Sequence, residues 1–346
     1  MGKSVVFAVA GSGKTTRIIE SLTADRRHLI LTFTDNNLAN LRRRIVEKFG
    51  YMPRTIGLFS YFSFLHSFCY RPFFAMRMKT KGFQWNQPPA WTRVLPRNRE
   101  AYYLDGTRRI YYGRLALFLE KKGAMAGVIA RIEKYYDSML VDEVQDFAGN
   151  DFNFLSSVVK GSSMDVMLVG DFYQHTFDTS RDGNTNGTLH DNYGKYQARF
   201  VQMGAVIDDK SLVKSRRCAP AVCDFVRKSL GIEIHAHGDG PAVAVELVTE
   251  QGRADEIFAS AAVKLFYQEH HKYPCNSNNW GSSKGLDHYE DVCVVLSVPL
   301  SKACESGDFS KLPSQTKNKF YVACTRARRN LYLIPEKLLK KHKASA

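Results

Sequence analysis

The stretch Ala8–Thr16, AVAGSGKTT, decides the fold. The segment leading into it, Lys3–Ala10 (KSVVFAVA), carries Val5, Val6, Phe7 and Val9 without a breaker and predicts a buried strand. After it, Ile18, Ile19 and Leu22 recur at helical spacing within Thr15–Leu22. Strand, glycine-rich turn and helix, in that order, form the context a phosphate-binding P-loop requires. Gly11 and Gly13 let backbone N–H groups around Ser12 close on a β-phosphate, helped by the N-terminal end of the helix. Lys14 then reaches the β- and γ-phosphates, the Thr15 hydroxyl is a ligand for Mg²⁺, and Thr16 completes the cradle. Ala8 stands where the pattern usually has its first glycine.

Three more segments repeat the theme. Leu29–Ile45 (LILTFTDNNLANLRRRI) reads as a strand, a polar turn and a basic helix. Ser138–Phe147 (SMLVDEVQDF) is an apolar strand ending in two adjacent carboxylates, and Val166–Gln174 (VMLVGDFYQ) is another ending in Gly-Asp and a glutamine. Strands alternating with helical stretches predict an α/β fold on a parallel sheet, with reactive residues at the strand ends.

Bulk composition narrows the class. The 346 residues suffice for two medium domains, and 44% hydrophobic with 24% charged residues is an ordinary soluble composition. No apolar run approaches the roughly 20 residues of a membrane span, and Val5–Ala10 runs straight into the glycine loop without a processing site. A cytoplasmic protein without membrane partners is expected. The seven cysteines include no CxxC pair, so reduced thiols are expected, and no metal-ligand spacing appears. Forty-nine Lys and Arg against 34 Asp and Glu give a net charge of +15. That excess fits a polyanionic partner such as nucleic acid, or else a generally basic enzyme.

Taken together, the motifs resemble a superfamily 1 helicase of the UvrD/Rep type. Its segments have counterparts here, in the family's order, in the P-loop, Thr32–Ile45, Leu140–Asp146, Val169–Gln174, Ser215–Cys218, Lys284–Asp287 and Tyr321–Ile334 (YVACTRARRNLYLI). Thr55–Cys69 (TIGLFSYFSFLHSFC) is similar to the family's segment along the single strand. The resemblance covers nearly the whole chain. It implies two tandem RecA-like P-loop domains with parallel sheets. Residues 1–205 would be the first, including a small basic and aromatic insertion at 70–136, and residues 206–346 the second.

The implied activity is ATP hydrolysis in the cleft between those domains, driving movement along single-stranded DNA, with ATP and Mg²⁺ as cofactors. By family position, Asp142 joins Thr15 in holding Mg²⁺ and Glu143 orients or deprotonates the attacking water. Gln174 senses the γ-phosphate, Arg217 touches it, and Arg326 is the arginine finger, jobs that suit a permanently charged, two-pronged guanidinium. For Asp171 a catalytic and a structural hydrogen-bonding role both stand. Arg216 and Gly285 fall among the nucleotide-binding positions. Thr34, Phe59, Ser60, His66, Phe177 and Lys284 fall among those facing the nucleic acid.

The chain also departs from the family. With a first strand expected to begin near Lys3, the glutamine-bearing segment that reads adenine is expected to be missing, and Arg216 replaces the tyrosine that stacks on the base. Adenine selectivity is therefore left open. Phe177 is kept but Thr179 stands where a second aromatic is expected, and Asp287 replaces a glutamate. The large second-half insertion is missing: Ala219–Asn279 reads as a helix, a strand at PAVAVELV and a helix from Ala254. In 70–136, Arg71, Arg77, Lys79, Lys81, Arg93, Arg97, Arg99, Arg108 and Arg109 interleave with Phe73, Phe74, Phe83, Trp85, Trp91, Tyr102 and Tyr103. Charge with stacking surfaces holds single strands, and a small core with solvated basic residues is the alternative. Arg42, Arg43 and Arg44 are similarly ambiguous. DGNTNGT and CNSNNWGSS read as loops, and KLLKKHKASA as a frayed basic helix end. Two other readings stay open: a nucleotide-dependent switch acting on a partner protein such as a nuclease, and an RNA-directed helicase.

Overall fold

A computed structural model describes residues 2–176, 183–239 and 242–344. The chain divides into two compact units. The first comprises Met1–Val6, Thr15–Gly170 and Phe177–Asp208, and the second Phe7–Lys14, Asp171–Thr176 and Asp209–Ala346.

The strands of the first unit are β1 (Lys3–Phe7), β2 (His28–Thr32), β3 (Ile56–Ser60), β4 (Phe83–Gln84), β5 (Ile110–Tyr111), β6 (Ser138–Val141), β7 (Asp165–Gly170) and β8 (Val206–Asp208). Six of them form one parallel sheet in the order β3-β2-β6-β7-β1-β8. Every residue of β2 and β6 is buried, as apolar runs covered on both faces should be. β1 is shorter than its apolar run: the sheet ends at Phe7, and Val9 N–H donates instead to the Leu212 carbonyl, 3.0 Å, within the second unit. The helix after the glycine loop is Lys14–Ser21. Lys48 of the helix Asp35–Phe49 closes its far end, donating to the Ile19 and Leu22 carbonyls at 2.7 Å each. Of the three consecutive arginines, Arg42 is exposed, Arg43 pairs with Glu47 at 3.3 Å and Arg44 donates to the Thr16 hydroxyl at 2.8 Å.

Residues 70–136 have a core of their own. Phe118 meets Phe74, Tyr103 and Tyr70 at ring distances of 5.0, 5.1 and 5.7 Å. Arg114 is fully buried, its guanidinium 3.9 Å from the Tyr102 ring centroid and bonded to the Tyr102 carbonyl. Some of the aromatic residues are thus core, while Trp85 and Trp91 are 61% and 62% exposed.

In the second unit, β9 (Lys214–Ser215) pairs β10 (His235–Ala236). A five-stranded parallel sheet is built from β11 (Val245–Leu247), β12 (Val263–Phe266), β13 (Ser277–Asn279), β14 (Val292–Leu296) and β15 (Leu331–Pro335), in the order β11-β15-β14-β12-β13. Two segments differ from the sequence reading. CNSNNWGSS holds an edge strand, β13, and then Trp280, which is wholly buried and donates its indole N–H to the Leu265 carbonyl at 2.8 Å. As far as Ala344 the tail is tied down rather than frayed. Lys341 and His342 hold Asp255 at 2.6 and 2.8 Å, His342 stacks on Phe258 at 4.1 Å, and Ala344 N–H donates to the Lys272 carbonyl. All seven cysteines are free thiols. Among the described residues no helix is long and apolar enough to cross a membrane.

Candidate nucleotide site

The glycine loop is anchored through its backbone inside the second unit. Ala10 N–H donates to the Tyr321 hydroxyl at 2.8 Å, and the Gly11 carbonyl accepts from Arg216 N–H at 2.9 Å. Ser12 Oγ donates back to the Val9 carbonyl at 2.8 Å, folding the turn on itself. Gly11 and Gly13 have φ of 72° and 98°, a region that favours glycine. A Cβ on Gly11 would lie 2.6 Å from Arg217 Cβ and 2.8 Å from Ser215 Oγ. This position therefore needs glycine twice over, for its torsion and for the close approach of Ser215 and Arg217. Ser12 and Lys14 are buried, and Thr15 and Thr16 half-buried at the start of the helix.

Tyr321, to which the sequence reading gave no role of its own, holds the loop. Fully buried, its hydroxyl accepts from Ala10 and donates to Asp171 Oδ2 at 2.9 Å. Burial, with the Asp171 charge beside it, holds the phenol pKa well above its usual value, so the proton stays on the oxygen. Asp171 Oδ1 in turn accepts from Tyr173 N–H at 3.1 Å, capping the turn Phe172–Gln174. Asp171 thus has a hydrogen-bonding role, and Gln174 is buried at the end of that turn.

Arg217 and Arg326 converge on one carboxylate. Arg217 Nη2 binds Asp287 Oδ1, and Arg326 Nη1 lies 3.6 Å from the same oxygen. Arg326 is 1% exposed, donating Nε–H to the Val322 carbonyl at 3.1 Å and Nη1–H to the Leu286 carbonyl at 3.2 Å. Burial, and then the neighbouring charge of Arg217, lower its pKa to about 10, which leaves it charged at neutral pH. Its Nη2 has no hydrogen-bond partner among the described residues. A buried guanidinium with an idle donor fits an anionic ligand, as does the left-handed glycine turn. Gly285, at φ 82°, precedes the Leu286 carbonyl that Arg326 uses. Arg216 is exposed and Lys284 half-buried.

The carboxylates belong to the first unit. Asp142 continues β6, bonds Leu31 through its backbone N–H at 2.8 Å, and is 2% exposed. Glu143 adopts φ 56°, ψ 49°, an unusual left-handed conformation for a glutamate. Its N–H donates to Asp142 Oδ1 at 3.1 Å and its Oε2 accepts from Gln145 Nε2 at 2.6 Å. Gln145 is fully buried, and a Cβ on Gly170 would collide with its Oε1, which explains the glycine that ends β7. Among the described residues no group of three or more His, Cys, Asp or Glu side chains could hold a metal.

Of the positions assigned to the nucleic acid, Thr34, Phe59, Ser60 and His66 lie in the first unit and Lys284 in the second. Thr34 Oγ1 caps the helix Asp35–Phe49 by accepting from Asn37 N–H at 3.2 Å, and Ser60 caps the turn Tyr61–Ser63. Phe59 packs against Phe64 and Phe68. His66 sits in a π-helical segment, Phe64–Tyr70, facing Phe83 at 4.6 Å. Phe177 and Thr179 lie outside the described residues.

No protein-family model and no curated protein matches the sequence. Solved structures do match by shape. Over 97% of this chain and 62% of the other, the chain resembles the arterivirus nonstructural protein 10 helicase in its complex with DNA, at a TM-score of 0.50 and 13% identity. The same arterivirus helicase in a second crystal structure gives 0.47 at 15% identity, over 97% and 61% of the two chains. A PRRSV helicase gives 0.45 at 13%, over 99% and 54%. The chain thus spans about 62% of the length of the arterivirus helicase bound to DNA. At such identity the likeness is one of fold: two RecA-like α/β units on parallel sheets.

Proposed function

We propose that the chain is an ATP-driven motor of the UvrD/Rep type that moves along single-stranded nucleic acid, with residues 1–205 and 206–346 as its two RecA-like domains. Lys14 and the loop N–H groups grip the β- and γ-phosphates. Thr15 and Asp142 hold Mg²⁺, which when bound neutralises charge on those oxygens. Glu143 takes the proton of the water whose oxygen attacks the γ-phosphorus, Gln174 reads the γ-phosphate, and Arg217 and Arg326 balance the charge that develops as ADP leaves. Thr34, Phe59, Ser60, His66, Phe177 and Lys284 are the positions assigned to the strand.

The observation that supports this reading is the pairing of the left-handed Gly11 turn with the Arg217 backbone against it, together with the idle Nη2 of buried Arg326. The test is ATP turnover with and without single-stranded DNA or RNA, for wild type and Glu143→Gln. The variant should lose turnover by about 10²- to 10⁴-fold, the usual worth of a general base, while still binding ATP. Unimpaired turnover would remove Glu143 from its role. A second reading, a nucleotide-dependent switch acting on a partner such as a nuclease, is favoured by Thr179 and Asp287, which depart from the family's coupling positions. It predicts ATP-dependent partner binding and no strand displacement.

A further inference from the structure

The insertion presents an aromatic surface that its own core does not use. β4 and β5 pair with Phe83 opposite Ile110 and Gln84 opposite Tyr111. This two-residue ladder sets Phe83 against the segment following β3, where its ring meets His66 at 4.6 Å and Phe62 at 4.8 Å, both edge to face. Trp85 extends the row, 5.0 Å from Phe62, 5.7 Å from Phe83 and 5.5 Å from Tyr112. Phe62, His66, Phe83 and Tyr112 are half-buried, so the row is held from beneath, yet Trp85 keeps 61% of its surface open. Burial and the charge of Arg71 lower the His66 pKa, leaving a neutral ring in the row at pH 7.

The stretch of sequence that carries Phe83 and Trp85 has charge of one sign. Residues 71–99 contain seven Lys and Arg and no Asp or Glu. All seven are exposed, and none forms a salt bridge among the described residues, in contrast to Arg26, Arg27 and Arg253, which are paired. The nearest carboxylate in this strand pair, Asp105, is occupied by Gln84, Thr107 and the Arg109 N–H. Flat π faces set among unpaired cations match a chain of bases joined by phosphates, and match neither an acidic peptide nor a lipid surface as well.

We propose that Phe62, His66, Phe83, Trp85 and Tyr112 form a stacking ledge for single-stranded polynucleotide, with Trp85 as the residue that meets a base and the Lys and Arg of 71–99 taking the phosphates. This rests on the nucleic-acid reading above and adds to it a subsite in the insertion.

The chain has three tryptophans, and Trp280 is buried, so a Trp91→Phe background leaves Trp85 as the exposed emitter. Titration of the full chain with oligothymidylate, without nucleotide, should quench that emission. Anisotropy of labelled oligothymidylate should show Trp85→Ala binding about tenfold more weakly, with Trp85→Phe close to wild type, the worth of one stacked base. An oligomer with abasic sites should weaken wild type by a similar factor and leave Trp85→Ala indifferent. Equal binding by Trp85→Ala at an unchanged melting temperature, or binding without quenching, overturns the ledge. No binding of any oligonucleotide by wild type overturns the nucleic-acid reading itself, which keeps the two failures apart.

Discussion

Replacing Tyr321 by phenylalanine removes one oxygen and leaves the packing intact. The ring's neighbour Tyr173, 6.0 Å away, is undisturbed, and no cavity larger than a hydroxyl is made. Two buried partners lose a bond, however. Ala10 N–H, on a residue with no exposed surface, loses its acceptor at 2.8 Å, and a buried amide without a partner costs about 1–3 kcal/mol. Asp171 loses a donor at 2.9 Å but keeps Tyr173 N–H on its other oxygen, and one hydrogen bond to a charged group contributes about 1.5–3 kcal/mol. Allowing some relaxation, the variant should lose about 2–5 kcal/mol, which for a body of this size is roughly a 5–15 °C lower melting temperature. The assay is calorimetry of wild type, Tyr321→Phe, Asp171→Asn and the double variant, read alongside ATP affinity. The double variant should lose much less than the sum of the singles, because both act on one chain of bonds. ATP affinity should fall with Tyr321→Phe, since the loop loses the tether at Ala10. A melting temperature and an affinity both equal to wild type would refute the reasoning.

Gly11→Ala should abolish measurable ATP binding, because an L-residue at φ 72° costs about 1–2 kcal/mol and its Cβ sits 2.6 Å from Arg217 Cβ. Gly231→Ala is the control: φ is 66° but nothing lies within 4 Å, so only the torsional cost should appear in a melt, with binding unchanged. The hydrogen bonds of Arg27 hold the Asp137 carboxyl down at about 2. Since the folded value is depressed, the stability it lends is present above pH 4 and is lost as pH falls toward 2. With the side chain 40% exposed the gain is screened to about 1 kcal/mol or less, so Asp137→Asn should melt slightly earlier at pH 7 and show a shallower decline between pH 4 and pH 2.

The parts of the fold written in local pattern were legible in the sequence. The buried strands β2, β6 and β7 announce themselves because a parallel sheet covered on both faces demands uninterrupted apolar runs. Glycines that end such runs mark where the backbone must turn or where a neighbour approaches, as Gln145 approaches Gly170. What stayed hidden depends on contacts distant in sequence. The segment around Trp280 is polar and Asn-rich, so nothing local shows that β13 lies on the edge of a sheet or that Trp280 fills the core beneath it. Asp287 looked like a shortened glutamate, whereas its structural meaning is set by Arg217 and Arg326, 70 and 39 positions away. The left-handed Glu143 could not have been foreseen, because glutamate has no preference for that conformation.

The glycine loop shows why motif and aim are separable. Val9, Ala10 and Gly11 each commit one backbone group within the second unit, to Leu212, Tyr321 and Arg216 at 3.0, 2.8 and 2.9 Å. Three successive tethers fix the entry to the turn whether or not a phosphate is present, so little ordering entropy is left for the ligand to overcome. The tethers are unequal. Two are backbone to backbone and survive any side-chain change, while the third runs through one phenol oxygen. Side-chain substitution can therefore loosen this loop mainly at Tyr321, and a change at Arg216 that leaves its N–H in place should weaken phosphate binding far less. If Arg216→Ala were to reduce ATP affinity as strongly as Tyr321→Phe, the loop would be held by the arginine side chain rather than by its amide, and this account of the cradle would be wrong.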